Sequence, residues 1–147
     1  MTGEADPSIL HGHWRLVAWD GVDERGEEIR HGGAEPHGFL IYLPSGRMAV
    51  QVQHDDRPSL GSSELHAGDP AGWAEAYRTY IAYAGTWSLP RDGVVVHHVE
   101  VALHPDQAGI DKERRYTFED DVLSLQTQPV RLEGGGEASS FLRWRRD

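Results

Sequence analysis

Residues 81–103, IAYAGTWSLPRDGVVVHHVEVAL, decide the fold of this chain. Two stretches rich in β-branched, aromatic and other apolar residues, Ile81–Leu89 and Val94–Leu103, flank the turn residues Pro90–Gly93. Aromatic and β-branched residues favour strands, whereas Pro, Asp and Gly favour turns. The segment therefore predicts a β-hairpin, and its second arm is the longest strand expected in the chain.

The same pattern continues on both sides of this hairpin. Further strands are predicted at Trp14–Trp19, Phe39–Leu43, Arg47–Gln53, Arg114–Glu119, Val122–Thr127 and Ser140–Arg145. The stretches Asp20–Gly38, His54–Gly68 and His104–Lys112 are predicted to be loops, because they are rich in glycine, proline and charged residues. Eight antiparallel strands close into a barrel whose interior holds side chains or one small ligand.

One short helix interrupts the strands. Asp69 is suited to cap a helix whose first position is Pro70, and aromatic residues recur behind it at helical spacing. A helix is therefore predicted over Pro70–Tyr80. The helix is expected to lie against the barrel wall or to cap an opening, because its aromatic stripe, formed by Trp73, Tyr77 and Tyr80, needs to be buried.

Length, charge and cysteine content exclude several classes of protein. The 147 residues suit one domain, 1–147, and a net charge of −10 with a single lysine, Lys112, argues against nucleic-acid binding. No cysteine is present, so disulfides and thiolate chemistry are excluded. No apolar run reaches the ~20 residues that span a bilayer, and the polar segment Met1–Ser8 does not resemble a secretion signal. A cytoplasmic protein with no membrane partner is expected.

The start of the first strand connects the chain to a known family. Gly12-His13-Trp14 resembles the Gly-x-Trp signature of the lipocalin and calycin superfamily, in which the tryptophan plugs the closed end of a β-barrel. There an arginine of the last strand packs over that tryptophan, and Arg143 or Arg145 would supply it here. Further segments come in the order of a bacterial and fungal lipocalin-like domain family: Gly12–Val17, Gly38–Tyr42 with Gly46–Met48, Tyr80–Trp87, Val96–Glu100 and Leu123–Leu125.

The resemblance covers Leu10 to Trp144 and implies a fold and a ligand class. The fold would be all-β: an eight-stranded antiparallel lipocalin-like (calycin) β-barrel with one short helix. The partner would be a small hydrophobic or amphipathic organic molecule in the lumen. The chain departs from the family at His104–Lys112, where an aromatic-containing segment is usual. Some related barrels in natural-product pathways are cofactor-free cyclases or isomerases.

Strand alternation predicts which side chains face the lumen. In the strand that begins at Val94, one face is apolar except for His97, so it should line the interior. It carries Val95, His97, Val99, Val101 and Leu103. The same rule places Arg114, Tyr116 and Phe118 on one inward face, Tyr83, Gly85, Trp87 and Leu89 on another, and Met48, Val50, Val52 and His54 on a third. A bulge would exchange the faces, which keeps His98 in reserve.

Three residues are candidates for catalysis. A buried, neutral His97 could act as a base, Arg114 could stabilise a developing negative charge, and Tyr116 could donate a hydrogen bond or a proton. Candidate ligand-binding residues are Tyr83, Trp87, Met48, His54, Val99 and Tyr42. For His97 the alternative is a packed core histidine. For Arg114 it is a salt bridge at the rim, and for the tyrosines it is core packing.

Neither metal nor cofactor is expected. His97 and His98 point to opposite faces of a strand, and the nine histidines show no metal-binding spacing. The glycine motifs that bind nucleotides and the nucleophile elbow of serine hydrolases are also missing.

Two functions follow. The first is a cofactor-independent isomerase or cyclase that acts in a secondary-metabolite pathway. The alternative is a non-catalytic intracellular carrier or sensor of a small hydrophobic ligand. A possible homodimer is left open.

Overall fold

Almost every strand pairs with the next strand along the chain. In the computed structural model, which describes residues 6–30, 32–131 and 134–147, the strands are β1 (Gly12–Asp23), β2 (Glu28–Arg30), β3 (His37–Tyr42), β4 (Arg47–Gln53), β5 (Tyr80–Arg91), β6 (Val94–Ala102), β7 (Asp111–Glu119), β8 (Val122–Thr127), β9 (Val130–Arg131) and β10 (Glu137–Arg146). One helix, α1 (Pro70–Arg78), and two 3₁₀ turns, Pro7–Ile9 and Pro105–Gln107, complete the described structure. Residues 1–5, which form most of the polar segment Met1–Ser8, lie outside the described residues.

The barrel closes through its first and last long strands. The order around the sheet is β1, β3, β4, β5, β6, β7, β8 and β10, and β10 pairs back onto β1 from Trp14↔Arg146 to Asp23↔Ala138. All these pairings are antiparallel. The predicted eight-stranded barrel with one short helix is confirmed. The short strands β2 and β9 lie beside β1 and β10 and add to the sheet without joining the ring.

The prediction of a loop over Asp20–Gly38 is wrong for the first half of this stretch. There β1 continues to Asp23 and pairs with β2 in a hairpin. The Asp23 carboxylate accepts hydrogen bonds from the backbone N–H groups of Arg25 and Glu27, and Gly26 takes the positive φ of 80° that the turn requires. A single side chain therefore organises a turn within a polar stretch that has no strand pattern.

Among the described residues, three register shifts interrupt the pairing of the barrel strands, and two of them change which side chains face inward. One lies between Leu16 and Ala18 in β1, and another is at Glu100, the extra residue of β6 between the partners of Ala84 and Gly85. The third lies between Ser88 and Arg91 of β5. Because a bulge adds one residue to a strand, the alternation changes face behind it. Val101 is 64% exposed and Leu103 is also exposed, so the prediction that both line the lumen is wrong.

One end of the barrel is plugged by a tryptophan, as predicted. Trp14 is 2% exposed, and its indole N–H donates to the carbonyl of Leu10 at 2.9 Å. An arginine of the last strand stacks over it, with 4.4 Å between the guanidinium carbon and the ring centre. This arginine is Arg146, and not Arg143, which pairs with Asp20, or Arg145.

Helix α1 begins as predicted but does not bury its aromatic side chains. The Asp69 carboxylate caps the helix by accepting from the N–H of Gly72 at 2.9 Å. Trp73 is 44% exposed and Tyr77 is 43% exposed, so the predicted burial is wrong for these two side chains. Tyr80 is half-buried and lies at the start of β5, beyond the end of the helix. The Trp73 indole donates instead to the carbonyl of Ala67 in the preceding loop. No helix in the described ranges has the length and apolar character needed to cross a membrane.

Candidate ligand-binding site

A cavity of about 470 Å³ occupies the barrel lumen. Its walls are largely aliphatic and aromatic and come from most of the barrel strands: Trp19, Leu40, Val50, Val52, Leu125, Leu142 and Trp144. Exposed side chains of Ile81, Ile110 and Val130 also line it, so the cavity reaches the surface beside them. Its size lies within the range of about 300–1,000 Å³ that is usual for ligand pockets.

A histidine that is hydrogen-bonded to two tyrosines contributes polar atoms to this otherwise largely apolar wall. His97 on β6 is 1% exposed and contacts Tyr42 on β3 and Tyr83 on β5. The Tyr42 hydroxyl lies 2.6 Å from Nε2 of His97, and the Tyr83 hydroxyl lies 2.7 Å from Nδ1. His97 and Tyr83 line the cavity, whereas Tyr42 lies behind them.

The hydrogen-bond partners of His97 determine which of its ring nitrogens carries the proton. A neutral imidazole has one donor and one acceptor nitrogen, so one tyrosine donates to the ring and the other accepts from it. The tyrosine that accepts must send its own O–H elsewhere. Among the described residues Tyr42 has no other hydrogen-bond partner and is fully buried, so it donates to Nε2. The proton is then on Nδ1, Tyr83 accepts it, and the Tyr83 O–H is free to donate into the cavity.

The three groups are neutral at neutral pH. Burial holds the pKa of His97 well below its ordinary value, and the positive charges of Arg114 and Lys112 lower it further. Burial also raises the pKa of Tyr42 and of Tyr83, although the charge of Arg114 and its hydrogen bond to Tyr83 oppose this. The site therefore offers a tyrosine hydroxyl as a neutral donor.

The lowered pKa of His97 predicts acid sensitivity. Below pH 6.5 the unfolded chain binds a proton at His97 that the folded protein does not. The free energy of unfolding should therefore fall by about 1.4 kcal/mol per pH unit from this group alone. Urea unfolding at pH 7, 6 and 5 should show a steeper loss in the wild type than in His97→Gln. An imidazole NMR signal of His97 that titrates near pH 6.5 in the folded protein would contradict this.

Two cationic side chains enter the cavity from β7. Lys112 and Arg114 are two residues apart, so they lie on the same face of the strand, and both line the lumen. The Lys112 ammonium lies 4.5 Å from the centre of the Tyr83 ring. Burial, and then the charge of Arg114, lower the pKa of Lys112 to about 8.

The structure places only some of the sequence candidates at the cavity. His97, Arg114 and Tyr83 line it, and Tyr42 reaches it through His97. The other candidates, Tyr116, Trp87, Met48, Val99 and His54, are not among its lining residues.

Each of these remaining candidates has other contacts. Tyr116 packs edge-on against Phe118, and no partner for its buried hydroxyl lies among the described residues. The Trp87 indole donates to the carbonyl of Leu43, and His54 lies edge-on against Trp19 at 5.3 Å. Met48 and Val99 are buried in the core cluster. Of the three candidates for catalysis, His97 and Arg114 line the cavity and Tyr116 does not.

Several lumen residues were not predicted from the sequence, among them Leu125, Trp144, Lys112 and Trp19. Lys112 falls within the predicted loop His104–Lys112 but lies on β7, and its spacing of two from Arg114 is the signal that places it on the same strand face. Trp19 is turned inward by the bulge at Leu16/Ala18, and no local pattern indicates that bulge.

The arrangement can hold and orient a polar group, but neither ring nitrogen of His97 is free to bond to a ligand. Both of its ring nitrogens are engaged by tyrosines, so any proton exchange with a bound molecule would pass through Tyr83. Within the described ranges, no group of three His, Asp or Glu side chains is close enough to hold a metal ion.

Comparison with known proteins agrees with the barrel fold. The model of a family described as a lipocalin-like domain matches residues 11–147. The 4'-hydroxy-3'-methoxypropiophenone carrier protein ppsC of Aspergillus oryzae is 31% identical over 106 residues, which cover 67% of this chain and 96% of that protein.

Proposed function

Because this chain belongs to the lipocalin-like domain family, we propose that it is a carrier that binds a small, amphipathic aromatic molecule in its barrel. The cavity of about 470 Å³ with one polar wall is the observation on which this proposal rests. An aromatic ring suits the apolar wall formed by residues such as Leu125 and Trp144. A carbonyl or similar acceptor suits the free O–H of Tyr83.

The similar protein of Aspergillus oryzae supports the class of ligand. Its name describes a carrier of an aryl ketone that also bears a hydroxyl and a methoxy group. Such a molecule combines an apolar ring with hydrogen-bond acceptors, which is the combination that this cavity accommodates. Carriage fits the site better than direct catalysis by His97, because both ring nitrogens are already hydrogen-bonded.

Binding should be measurable with that aryl ketone as the probe. At about 0.5 kcal/mol of binding free energy per non-hydrogen atom, a value between those of tiny and of drug-sized ligands, 4'-hydroxy-3'-methoxypropiophenone should bind with a Kd on the order of 10 µM. The variant Ile81→Trp places a large ring where the cavity reaches the surface, and we expect it to weaken binding at least about tenfold. Isothermal titration calorimetry measures both values.

The matched control is Val101→Trp. It adds the same ring on the outer face of β6, where Val101 faces solvent, and it should bind the probe like the wild type. Equal affinity in Ile81→Trp, or no binding by the wild type of this or of the other aromatic probes used below, would contradict a lumen carrier.

A cofactor-independent isomerase or cyclase of secondary metabolism is the second candidate. One observation favours it: the Tyr83 hydroxyl lies beside His97 and Arg114 and faces the cavity. Such a donor could stabilise the enolate of a bound ketone, because it would be stronger toward the charged oxygen than toward the carbonyl.

Deuterium exchange separates the two functions. If the protein forms an enolate, NMR in D₂O should show faster exchange of the protons next to the ketone of the probe than in buffer, and Tyr83→Phe should abolish the increase. A carrier leaves the exchange rate unchanged.

A further inference from the structure

We propose that the molecule held in the lumen is an organic anion whose acidic group, such as a carboxylate, pairs with Lys112 and Arg114. The inference rests on the proposed function, since it names the ligand class of the same cavity. It depends on three observations: both cations line the cavity, neither forms an ion pair with a carboxylate of the described residues, and a hydrogen-bond donor lies beside them.

The two cations differ from the paired arginines on the outside of the protein. Arg47 pairs with Glu100, and Arg91 pairs with Glu113. In contrast, neither Lys112 nor Arg114 forms an ion pair with any carboxylate of the described residues. This is notable in a chain that has 24 acidic and 14 basic residues. Their charges are therefore available to a molecule in the cavity.

The nearest acidic side chain in the cavity lining is engaged elsewhere. Asp111 lines the lumen beside Lys112, but its carboxylate lies 2.7 Å from Nδ1 of His98. That histidine in turn contacts the hydroxyl of Ser88. The Asp111 carboxylate is thus held by a neighbouring strand and does not neutralise the two cations.

Without an anion, the two positive charges destabilise each other. Lys112 and Arg114 are both partly buried, and burial together with the charge of Arg114 lowers the pKa of Lys112 to about 8. A bound carboxylate would reverse both effects, because an opposite charge favours the protonated amine. A neutral ligand would only increase the burial of the two cations.

The groups around the two cations complete a site for an anion. The O–H of Tyr83 is free to donate to an oxygen of the ligand, and the Tyr83 ring contacts the Lys112 ammonium. His97 has no free nitrogen with which to donate or accept. The acidic end of a ligand would therefore lie against Lys112, Arg114 and Tyr83, with its apolar body toward Trp144.

A matched pair of probes tests the charge of the ligand. Titration calorimetry at pH 7 compares 3,4-dimethoxybenzoate with its methyl ester, which has the same ring but no charge and no phenol that could ionise between pH 7 and pH 9. We expect the carboxylate to bind at least about tenfold more tightly than the ester. Lys112→Met and Arg114→Met should each remove most of this preference, and Arg91→Met, which removes a cation from the outer surface, should keep it.

The pH dependence supplies a readout of Lys112 itself. The wild-type preference for the carboxylate should fall between pH 7 and pH 9 as Lys112 loses its proton, and Lys112→Arg should keep the preference at pH 9. The other titratable and charged groups of the lumen lining are Tyr83, His97, Asp111 and Arg114, and Tyr77, Arg78, Tyr80 and His104 line a second pocket together with Lys112. Of these, His97 and Tyr83 stay neutral between pH 7 and pH 9, because the pKa of His97 is lowered and the pKa of Tyr83 is raised.

The outcomes separate this inference from the proposed function. Equal or tighter binding of the ester by the wild type overturns the anion but leaves the carrier intact. A preference that survives in both Lys112→Met and Arg114→Met overturns the assignment to these residues. If Arg114→Met does not fold, Lys112→Met alone decides, because Lys112 lies at the edge of the cavity. Binding of neither probe nor of the aryl ketone overturns the carrier and the anion together.

Discussion

We expect His97→Phe to lower the free energy of unfolding by about 2–5 kcal/mol, although the two side chains are similar in volume. The imidazole satisfies the hydroxyls of Tyr42 and Tyr83, which are both buried. Each buried polar group that loses its partner costs about 1–3 kcal/mol. Tyr83 can turn toward the cavity, but among the described residues Tyr42 has no alternative partner.

A double-mutant cycle separates this effect from a general packing defect. Tyr42→Phe should destabilise the wild type, but it should cost little, or even restore stability, in the His97→Phe background, because it removes the orphaned hydroxyl. Urea unfolding of the four proteins gives the coupling energy, which should be about 1 kcal/mol or more. Costs that simply add would show that the Tyr42–His97 contact contributes nothing specific.

Gly85→Ala is expected to lower the free energy of unfolding by about 2–4 kcal/mol, or the Tm by about 6–12 °C. A Cβ at this position would lie 1.9 Å from the carbonyl oxygen of His98 and 2.9 Å from the N–H nitrogen of Glu100. Both atoms belong to the backbone of β6 at the bulge, so no side chain can rotate away. The strand that carries His97 would have to move.

The control for this variant is Thr86→Ala on the neighbouring position of β5. It changes a side chain on the same strand without adding an atom near the bulge, and its Tm should stay within about 2–4 °C of the wild type. Calorimetric melting of the three proteins tests the comparison. A Gly85→Ala protein as stable as Thr86→Ala would mean that the bulge tolerates a side chain.

The sequence by itself determined the barrel, the helix and the plugged end. The strand patterns around the hairpin at residues 81–103, the cap at Asp69 and the Gly-x-Trp of Trp14 are local signals. Strand propensity, turn residues and caps act within a few residues of the chain, so they can be recognised without the folded structure. The histidine on an apolar strand face was recognised in the same way, because alternation identified His97 as an inward-facing residue.

Only the tertiary structure decided what the inner wall presents. Two bulges turn Trp19 inward and Val101 outward, and a shift of one residue moves every later side chain to the opposite face. The partner of Nε2 in His97 is Tyr42, 55 residues away, and Tyr116 does not line the cavity that Arg114 enters. Bulge positions and contacts between distant strands result from closing the whole ring, because each strand must pair and pack with both of its neighbours. No stretch of a few residues contains that information.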